Sequence, residues 1–480
     1  MNDSNSFVRH LLTMVTGTAL AQAIPLLASP ILTRLYTPGD FGILSAVVAT
    51  AGILSIIGTL RYELAIVLPQ DEARAANLAA IAMMTLIATF VATTLLIVIF
   101  PSASNGLFSR ASDYALAIPL LTAVLSMSQL LSFAANRERQ YRTITTGSIL
   151  QQTGAAIIGI GMGFAALPVN GLIVGRVAGY AIACVYYARR LSTNLRRWLG
   201  LIETQCLVET ALAYRQFPAF NVPYSLIGNF SREFLVLAFT AMHQLDAAGY
   251  YGLARSVLTA PIGFLSTSIS QVFYKEAAVN IGTTDFKRLT LNLLRYLGAG
   301  LAPFFVLGWF WAPEVFQIVF GARWREAGDY AALLMPIGYL SLFTSWPERV
   351  FEVRGKQHLS LAIQLIFDSA TVGLVTVALI NGTPPLTAIK YYVGVQCLYH
   401  MTYLAAVFRL SGFDLKSFTK FVSLGAIALV AIVLLEFFAA QSVSGMWLQF
   451  AVSALAAVVS SMLLLLLVRR SARSDTRIQA

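Results

Sequence analysis

Arginines inside long apolar stretches are the residues of this sequence most suited to chemistry. The stretch GTLRYELAIVLP (58–69) carries Arg61 and Glu63 among apolar side chains, and Arg232 and Arg255 lie in similar surroundings. A charge inside such a stretch costs free energy, so it usually has a partner or a task. Because a guanidinium group stays charged and binds phosphate oxygens in pairs, recognition of a phosphorylated ligand is the first chemistry to consider.

The composition places these arginines in a membrane protein. Of 480 residues, 58% are hydrophobic and 11% are charged, whereas a soluble domain is typically about 25% charged. Apolar runs of nearly twenty residues recur from end to end, which is the length needed to cross a hydrocarbon core of roughly 30 Å. The sequence therefore predicts an all-α polytopic membrane protein with about fourteen transmembrane helices.

The predicted spans alternate with short polar segments. Their approximate bounds are 11–33, 42–67, 77–100, 114–135, 144–165, 171–188, 218–240, 248–274, 289–312, 331–351, 359–380, 386–408, 421–440 and 446–468. Most Lys and Arg residues fall on one side of this alternation, above all in 136–142, 188–200 and 469–477. The positive-inside rule then places both termini in the cytoplasm.

The net charge of +11 does not indicate a nucleic-acid partner, because the positive charge is spread over short loops between apolar runs. The three cysteines and four histidines are scattered, so their spacing fits neither a disulfide framework nor a zinc site. We predict no metal site, no cofactor and no catalytic residue.

Short matches between the two halves indicate an internal duplication. DYALAIPLL (113–121) resembles DYAALLMPIG (329–338), and RERQY (137–141) resembles RGKQH (354–358), both 217 residues apart. Such repeats are common in transporters. The predicted division is an N-terminal six-helix lobe, a basic cytoplasmic linker, a C-terminal six-helix lobe and two additional helices with a basic tail, at 1–190, 191–217, 218–410 and 411–480.

A third match lies at the first loop of each half. PGDFGILSAVV (38–48) resembles AGYYGLARSVL (248–258), which aligns Gly39 and Gly42 with Gly249 and Gly252. An even number of spans per half gives both halves the same orientation in the membrane. We expect a central cavity between the two lobes, which is a natural place for a substrate.

Four arginines are predicted to bind an anionic substrate. In order of depth from the cytoplasm they are Arg61, Arg232, Arg255 and Arg34. This order is typical of a cationic ladder for an anion that crosses the bilayer. A structural salt bridge between helices is the rival interpretation, and Arg34, near a span end, is also suited to reach the interface.

Glu63 and Glu233 are predicted to gate or couple transport. Residues two apart on an ideal helix point in nearly opposite directions, so Arg61 and Glu63 are not expected to pair. Glu63 then either holds an arginine of the other half or takes up a coupling proton. The coupling ion, H⁺ or Na⁺, stays unassigned.

The sequence around these residues resembles the polysaccharide flippase family, the exporters of O-antigen and exopolysaccharide. The resemblance is clearest in GTALAQAIPLLASPILTRLYTPGDFG (17–42) and LRYELAIVLP (60–69), and it continues in DAAGYYGLARSVLTAPI (246–262) and GARWREAGDY (321–330). These exporters share a superfamily with multidrug extruders and a lipid II flippase.

The resemblance implies a function for the whole chain. A flippase of this kind moves an oligosaccharide on a polyprenyl diphosphate from the cytoplasmic to the periplasmic leaflet of the bacterial inner membrane, by alternating access. Membrane lipids surround it, and polysaccharide polymerase or assembly proteins are its expected partners. It is not an enzyme.

Two other functions compete with this interpretation. An ion-coupled exporter of cationic drugs would favour carboxylates and aromatic side chains, whereas arginines outnumber carboxylates in the predicted spans. A membrane polymerase or ligase acting on the same glycan would need catalytic groups near its substrate, and the predicted outside loops are short.

Overall fold

The computed structural model describes residues 2–100, 114–167 and 169–477, and within these ranges the regular secondary structure is helical, without a β-strand. Helices suit an apolar chain in lipid because every backbone hydrogen bond can be made within the segment. The chain divides into two compact units, Met1–Gly252 and Leu253–Ala480.

The first unit holds the helices up to the beginning of α11. They are α1 (Asn2–Leu35), α2 (Pro38–Thr59), α3 (Tyr62–Ala65), α4 (Glu72–Ile99), α5 (Ala117–Arg137), α6 (Tyr141–Phe164), α7 (Gly171–Arg190), α8 (Ser192–Gly200), α9 (Thr204–Ala213), a π-helical turn (Phe217–Asn221), α10 (Val222–Ala241) and the first turns of α11 (Leu245–Asn280).

The second unit holds the remainder of α11 and seven further helices within the described residues. They are α12 (Thr284–Phe320), α13 (Arg325–Ser341), α14 (Arg349–Val353), α15 (Gln357–Ile380), α16 (Pro385–Leu410), α17 (Leu415–Gln441) and α18 (Met446–Arg477), with a 3₁₀ turn at Ala322–Trp324.

The predicted spans lie on helical segments, most of them on a single helix. Eight helices of the described chain are long and apolar enough, by length and composition, to cross a membrane: α2, α4, α5, α7, α12, α15, α17 and α18. The prediction of an all-α protein with many spans is confirmed.

Two predicted spans are not single helices. The span predicted at 42–67 breaks because Leu60 and Arg61 both take the left-handed conformation, with φ of 47° and 62°. The span predicted at 331–351 breaks where α13 ends at Ser341, and α14 begins only at Arg349. Pro347 lies in this break, and a proline ring removes the backbone N–H and disfavours helix at the residue before it.

The glycines matched between the two halves meet where α2 crosses the beginning of α11. A Cβ on Gly42 would lie 1.9 Å from the carbonyl oxygen of Leu245, and a Cβ on Gly249 would lie 2.0 Å from that of Pro38. Small residues allow two helix backbones to approach this closely. The spacing of glycine in both segments therefore sets the contact between them.

The predicted linker at 191–217 is largely helical and belongs to the first unit. Arg197 of α8 forms an ion pair with Glu72 of α4, and Trp198 Nε1 donates to the same carboxylate at 3.1 Å. Residues 218–252 also belong to the first unit. These units are defined by how the chain packs and do not test whether the two halves arose by duplication. The division into two duplicated lobes therefore stays a prediction.

Candidate functional site

Arg61 lies at the turn between α2 and α3, with its side chain 17% exposed. Its Nε donates to Ser225 Oγ of α10 at 3.2 Å. Its Nη1 donates to Glu63 Oε1 at 3.4 Å. The guanidinium is thus held by a hydroxyl and a carboxylate while part of it stays accessible.

The expectation that Arg61 and Glu63 do not pair is wrong. It assumed a continuous helix, whereas the helix stops at Thr59 and a new one starts at Tyr62. Two successive left-handed residues, Leu60 and Arg61, interrupt the helix at this point. The Arg61 side chain therefore reaches a carboxylate two residues away. Left-handed leucine and arginine are strained, and such strain often marks functional sites.

Glu63 is completely buried. Its Oε2 has no hydrogen-bond partner among the described residues, so one oxygen of the carboxyl is unsatisfied. A buried charge is costly unless it is well paired. The role of Glu63 in gating or coupling stays a prediction.

The segment that carries Glu63 is fixed by neighbouring helices. Tyr62 Oη donates to the carbonyl of Ala211 in α9 at 3.1 Å. Arg137 at the end of α5 donates to the carbonyls of Ile66 and Pro69 at 2.8 and 2.6 Å. An apolar cluster that includes Tyr62, Ala65 and Ile66 encloses the turn. In the sequence, Arg137 was noted only as part of the internal repeat.

The other predicted site residues are distributed over three helices. Arg34 lies exposed in the last turn of α1, where its Nη1 donates to the Pro30 carbonyl at 2.5 Å. On α10, Arg232 is exposed and Glu233 is half-buried, and on α11 Arg255 is half-buried. Arg34, Arg61, Arg232 and Glu233 belong to the first unit and Arg255 to the second. Their role as one substrate path stays a prediction.

Positions along the helices refine the predicted depths. Arg61 lies beyond the end of α2 rather than inside a span, because that helix stops at Thr59. Arg232 lies ten residues from the beginning of α10, which is about 15 Å along the axis. The Ser225 that bonds Arg61 lies on the first turns of that same helix, so α10 carries both a partner of Arg61 and a second cation.

A buried carboxyl on α17 was missed in the sequence. Glu436 is 1% exposed, Ser453 on α18 is completely buried, and both oxygens of Glu436 and the hydroxyl of Ser453 have no hydrogen-bond partner in the described chain. The signal was available, since LLEFF (434–438) places one acidic residue in an otherwise apolar run. Ser225, in contrast, carries no signal of its own in the sequence.

Within the described ranges, no group of three or more His, Cys, Asp or Glu side chains is arranged to hold a metal ion. The turn at Arg61 places a partly exposed guanidinium beside a buried carboxyl.

Comparison with known proteins assigns the family. Residues 31–329 match a family described as polysaccharide biosynthesis protein. The chain belongs to this family. The match includes the turn at Arg61 and Glu63 and confirms the resemblance noted in the sequence. No curated protein matches the chain in sequence.

Two solved structures share its fold. The lipid II flippase MurJ, in an inward closed conformation, is 11% identical with a TM-score of 0.65, over 96% of this chain and 99% of that chain. A multidrug resistance MATE family transporter of the MOP superfamily, in an inward-facing conformation, is 14% identical with a TM-score of 0.59, over 83% and 96% of the two chains. This member of the polysaccharide biosynthesis family thus has the same fold as a lipid II flippase and a multidrug transporter.

Proposed function

We propose that this protein is a flippase that moves a polyprenyl-diphosphate-linked oligosaccharide from the cytoplasmic to the periplasmic leaflet by alternating access. It would serve the synthesis of a surface polysaccharide, such as O-antigen, capsule or exopolysaccharide, in a bacterial inner membrane. Polysaccharide polymerase and assembly proteins would be its partners.

The observation that carries the proposal is membership of the polysaccharide biosynthesis family on a fold shared with a lipid II flippase. A member of such a family needs no transporter fold unless its product or precursor has to cross a membrane. The precursor class that combines a sugar, an anion and a lipid suits the arginines found in this chain.

Arg61 is proposed to bind the diphosphate by exchange of partners. In the structure its guanidinium is shared by Glu63 and Ser225, and the Arg61 side chain is partly exposed. A diphosphate would provide stronger paired acceptors than a single carboxylate oxygen at 3.4 Å. Glu63 would then be released from Arg61. This exchange would allow Glu63 to gate or couple transport.

The experiment compares two arginines on the first unit. Arg61→Ala should leave an unpolymerised lipid-linked glycan on the cytoplasmic face of cells that lack the wild-type protein. Arg74→Ala is the matched control, because the Arg74 side chain is 61% exposed and lies 4.0 Å from its nearest carboxylate. We expect normal export by the control. Normal export by Arg61→Ala would contradict the role of Arg61.

An exporter of small cationic molecules is the second candidate, and the fold shared with a multidrug transporter favours it. If the glycan reaches the periplasmic face in cells that lack the protein, the flippase proposal fails. Uptake of a fluorescent cation into inverted vesicles, present with the protein and absent without it, would then establish this alternative. A glycan that is exported but stays unpolymerised would instead indicate an enzyme.

A further inference from the structure

A cavity of about 580 Å³ lies within the second unit, between α12, α13, α17 and α18. Most of its wall is apolar, and Leu294, Phe343 and Leu429 are typical of it. The charged side chains of the lining are Arg295 and Lys420, and Ser417 and Tyr339 add hydroxyl groups. A cavity of this size falls in the range that holds a ligand of moderate size.

The charged groups gather at one end of the cavity. Ser417 and Lys420 lie in the first turns of α17, and Leu294, next to Arg295, packs in the same core cluster as Phe421 near that end. At the other end, Ala302, Leu429 and Leu464 pack together with Tyr339 in an apolar cluster. The cavity therefore has a cationic end and an apolar end.

The length of the cavity corresponds to one leaflet of a bilayer. Its lining on α17 extends from Ser417 to Leu429, which is roughly 18 Å along a helix. Half of a hydrocarbon core is roughly 15 Å. Two of the lining side chains, Leu424 and Leu467, are more than half exposed, so the cavity also has access to lipid.

We propose that this cavity binds an anionic phospholipid, with its phosphate at Arg295 and Lys420 and an acyl chain along α12 and α17. Basic pockets between helices near a membrane surface recognise such headgroups. The predicted orientation places the cationic end at the cytoplasmic leaflet. The inference does not depend on the flippase function, because it concerns a resident lipid and needs no transport.

The charges around the cationic end support a single anionic group. Asp414 lies at the beginning of α17, where its Oδ1 accepts from the Ser417 amide at 3.0 Å. This carboxylate satisfies one N–H group at the beginning of the helix. Arg295 and Lys420 then provide the cationic side chains of the lining, which suits one phosphate with its apolar chain in the same leaflet.

Native mass spectrometry of the purified full chain tests the proposal. The protein is exchanged into equal amounts of phosphatidylglycerol and phosphatidylcholine, and the retained lipid is identified. We expect preferential retention of phosphatidylglycerol. Each cation near the surface contributes a factor of about five to binding an anionic lipid, so Arg295→Gln with Lys420→Gln should lower this preference roughly 25-fold. High salt should weaken it in the wild type.

Gly425→Phe tests the cavity without removing a charge. Gly425 lines the cavity, and a Cβ added there meets no atom within 4 Å. The phenyl ring should fill the space and displace the lipid while the fold is kept. Two variants are the matched controls. Gly394→Phe places the same ring at an equally open position on α16. Arg469→Gln with Arg470→Gln removes two charges at exposed positions beside the cavity. They should retain the lipid.

Three results would overturn the inference. Equal retention of both phospholipids would show that the cationic end does not select a headgroup. Unchanged retention in both cavity variants would place the lipid elsewhere. Displacement of phosphatidylglycerol by a polyprenyl diphosphate, one for one and lost in Gly425→Phe, would assign the cavity to a transported lipid. None of these readouts measures export, so the flippase proposal is tested separately.

Discussion

At the residue scale, the Arg61–Glu63 pair combines a structural and a proposed functional role. Glu63 is completely buried and Arg61 is 17% exposed. Removing one member of a buried ion pair leaves an uncompensated charge, whereas removing both is often tolerated. A loss of export in Arg61→Ala could therefore result either from a lost diphosphate contact or from a destabilised protein.

The double variant separates these two effects. We expect Arg61→Ala to lower the free energy of unfolding by about 3 kcal/mol, because the Glu63 carboxylate stays buried without its cation. Arg61→Ala combined with Glu63→Gln should recover most of this loss, since no net charge is then buried. Thermal unfolding in detergent, followed by tryptophan fluorescence, measures both variants and the Glu63→Gln single variant.

Export by the same variants distinguishes a diphosphate-binding role of Arg61 from a purely structural one. If Arg61 binds the diphosphate, the double variant should be stable and still inactive. A stable double variant that exports normally would show that Arg61 only neutralises Glu63. An equal loss of stability in the single and double variants would contradict the ion pair itself.

At the element scale, the crossing of α2 and α11 depends on the absence of side chains at two glycines. Gly42 and Gly249 each face a backbone carbonyl of the other helix, closer than a Cβ contact allows. Backbone atoms cannot move aside as the end of a flexible side chain can. The two segments matched in the sequence therefore hold each other at a distance that only glycine permits.

Gly42→Ala should destabilise the first unit. Its Cβ would lie 1.9 Å from the Leu245 oxygen, and inserting an atom into a closely packed contact typically costs 1–3 kcal/mol. Gly52→Ala, in the same helix, is the control, because its Cβ meets no atom within 4 Å. That variant should gain roughly 0.5–1 kcal/mol, since alanine favours the helix. Thermal unfolding checks both, and a loss of stability shared equally by the two would contradict the crossing.

At the scale of the whole molecule, hydropathy in the sequence was sufficient to predict where the helices lie. Fourteen spans were predicted, and eight helices of the described chain are long and apolar enough to cross a membrane. The predicted spans lie on helical segments because an apolar run in lipid has few other structures available. The break after Thr59 was not predictable, since Leu60 and Arg61 take a backbone conformation that their residue types disfavour. The pairing of Arg61 with Glu63 and Ser225 follows from that break, so it was missed as well.

The predicted orientation in the membrane rests on the positive-inside rule, and the cysteines of the chain can test it. Cys206 on α9 lies in the segment predicted to be cytoplasmic, whereas Cys184 and Cys397 lie in α7 and α16. A membrane-impermeant maleimide should label Cys206 in inverted vesicles and not in intact cells. Labelling of Cys206 in intact cells would show that the predicted orientation is wrong.

The rate of that labelling should depend on Glu203. The Cys206 thiol donates to Glu203 Oε2 at 3.3 Å, and this hydrogen bond to a carboxylate raises the pKa of Cys206 above its ordinary value. Maleimide reacts with the thiolate. The labelling rate of the wild type should therefore increase at a higher pH than the labelling rate of Glu203→Gln. Cys184→Ser with Cys397→Ser provides a background in which Cys206 is the remaining thiol of the sequence. Identical pH profiles for the two proteins would contradict the Cys206–Glu203 contact. The side of the membrane from which Cys206 is labelled would still report the orientation. The contact and the orientation are therefore tested independently.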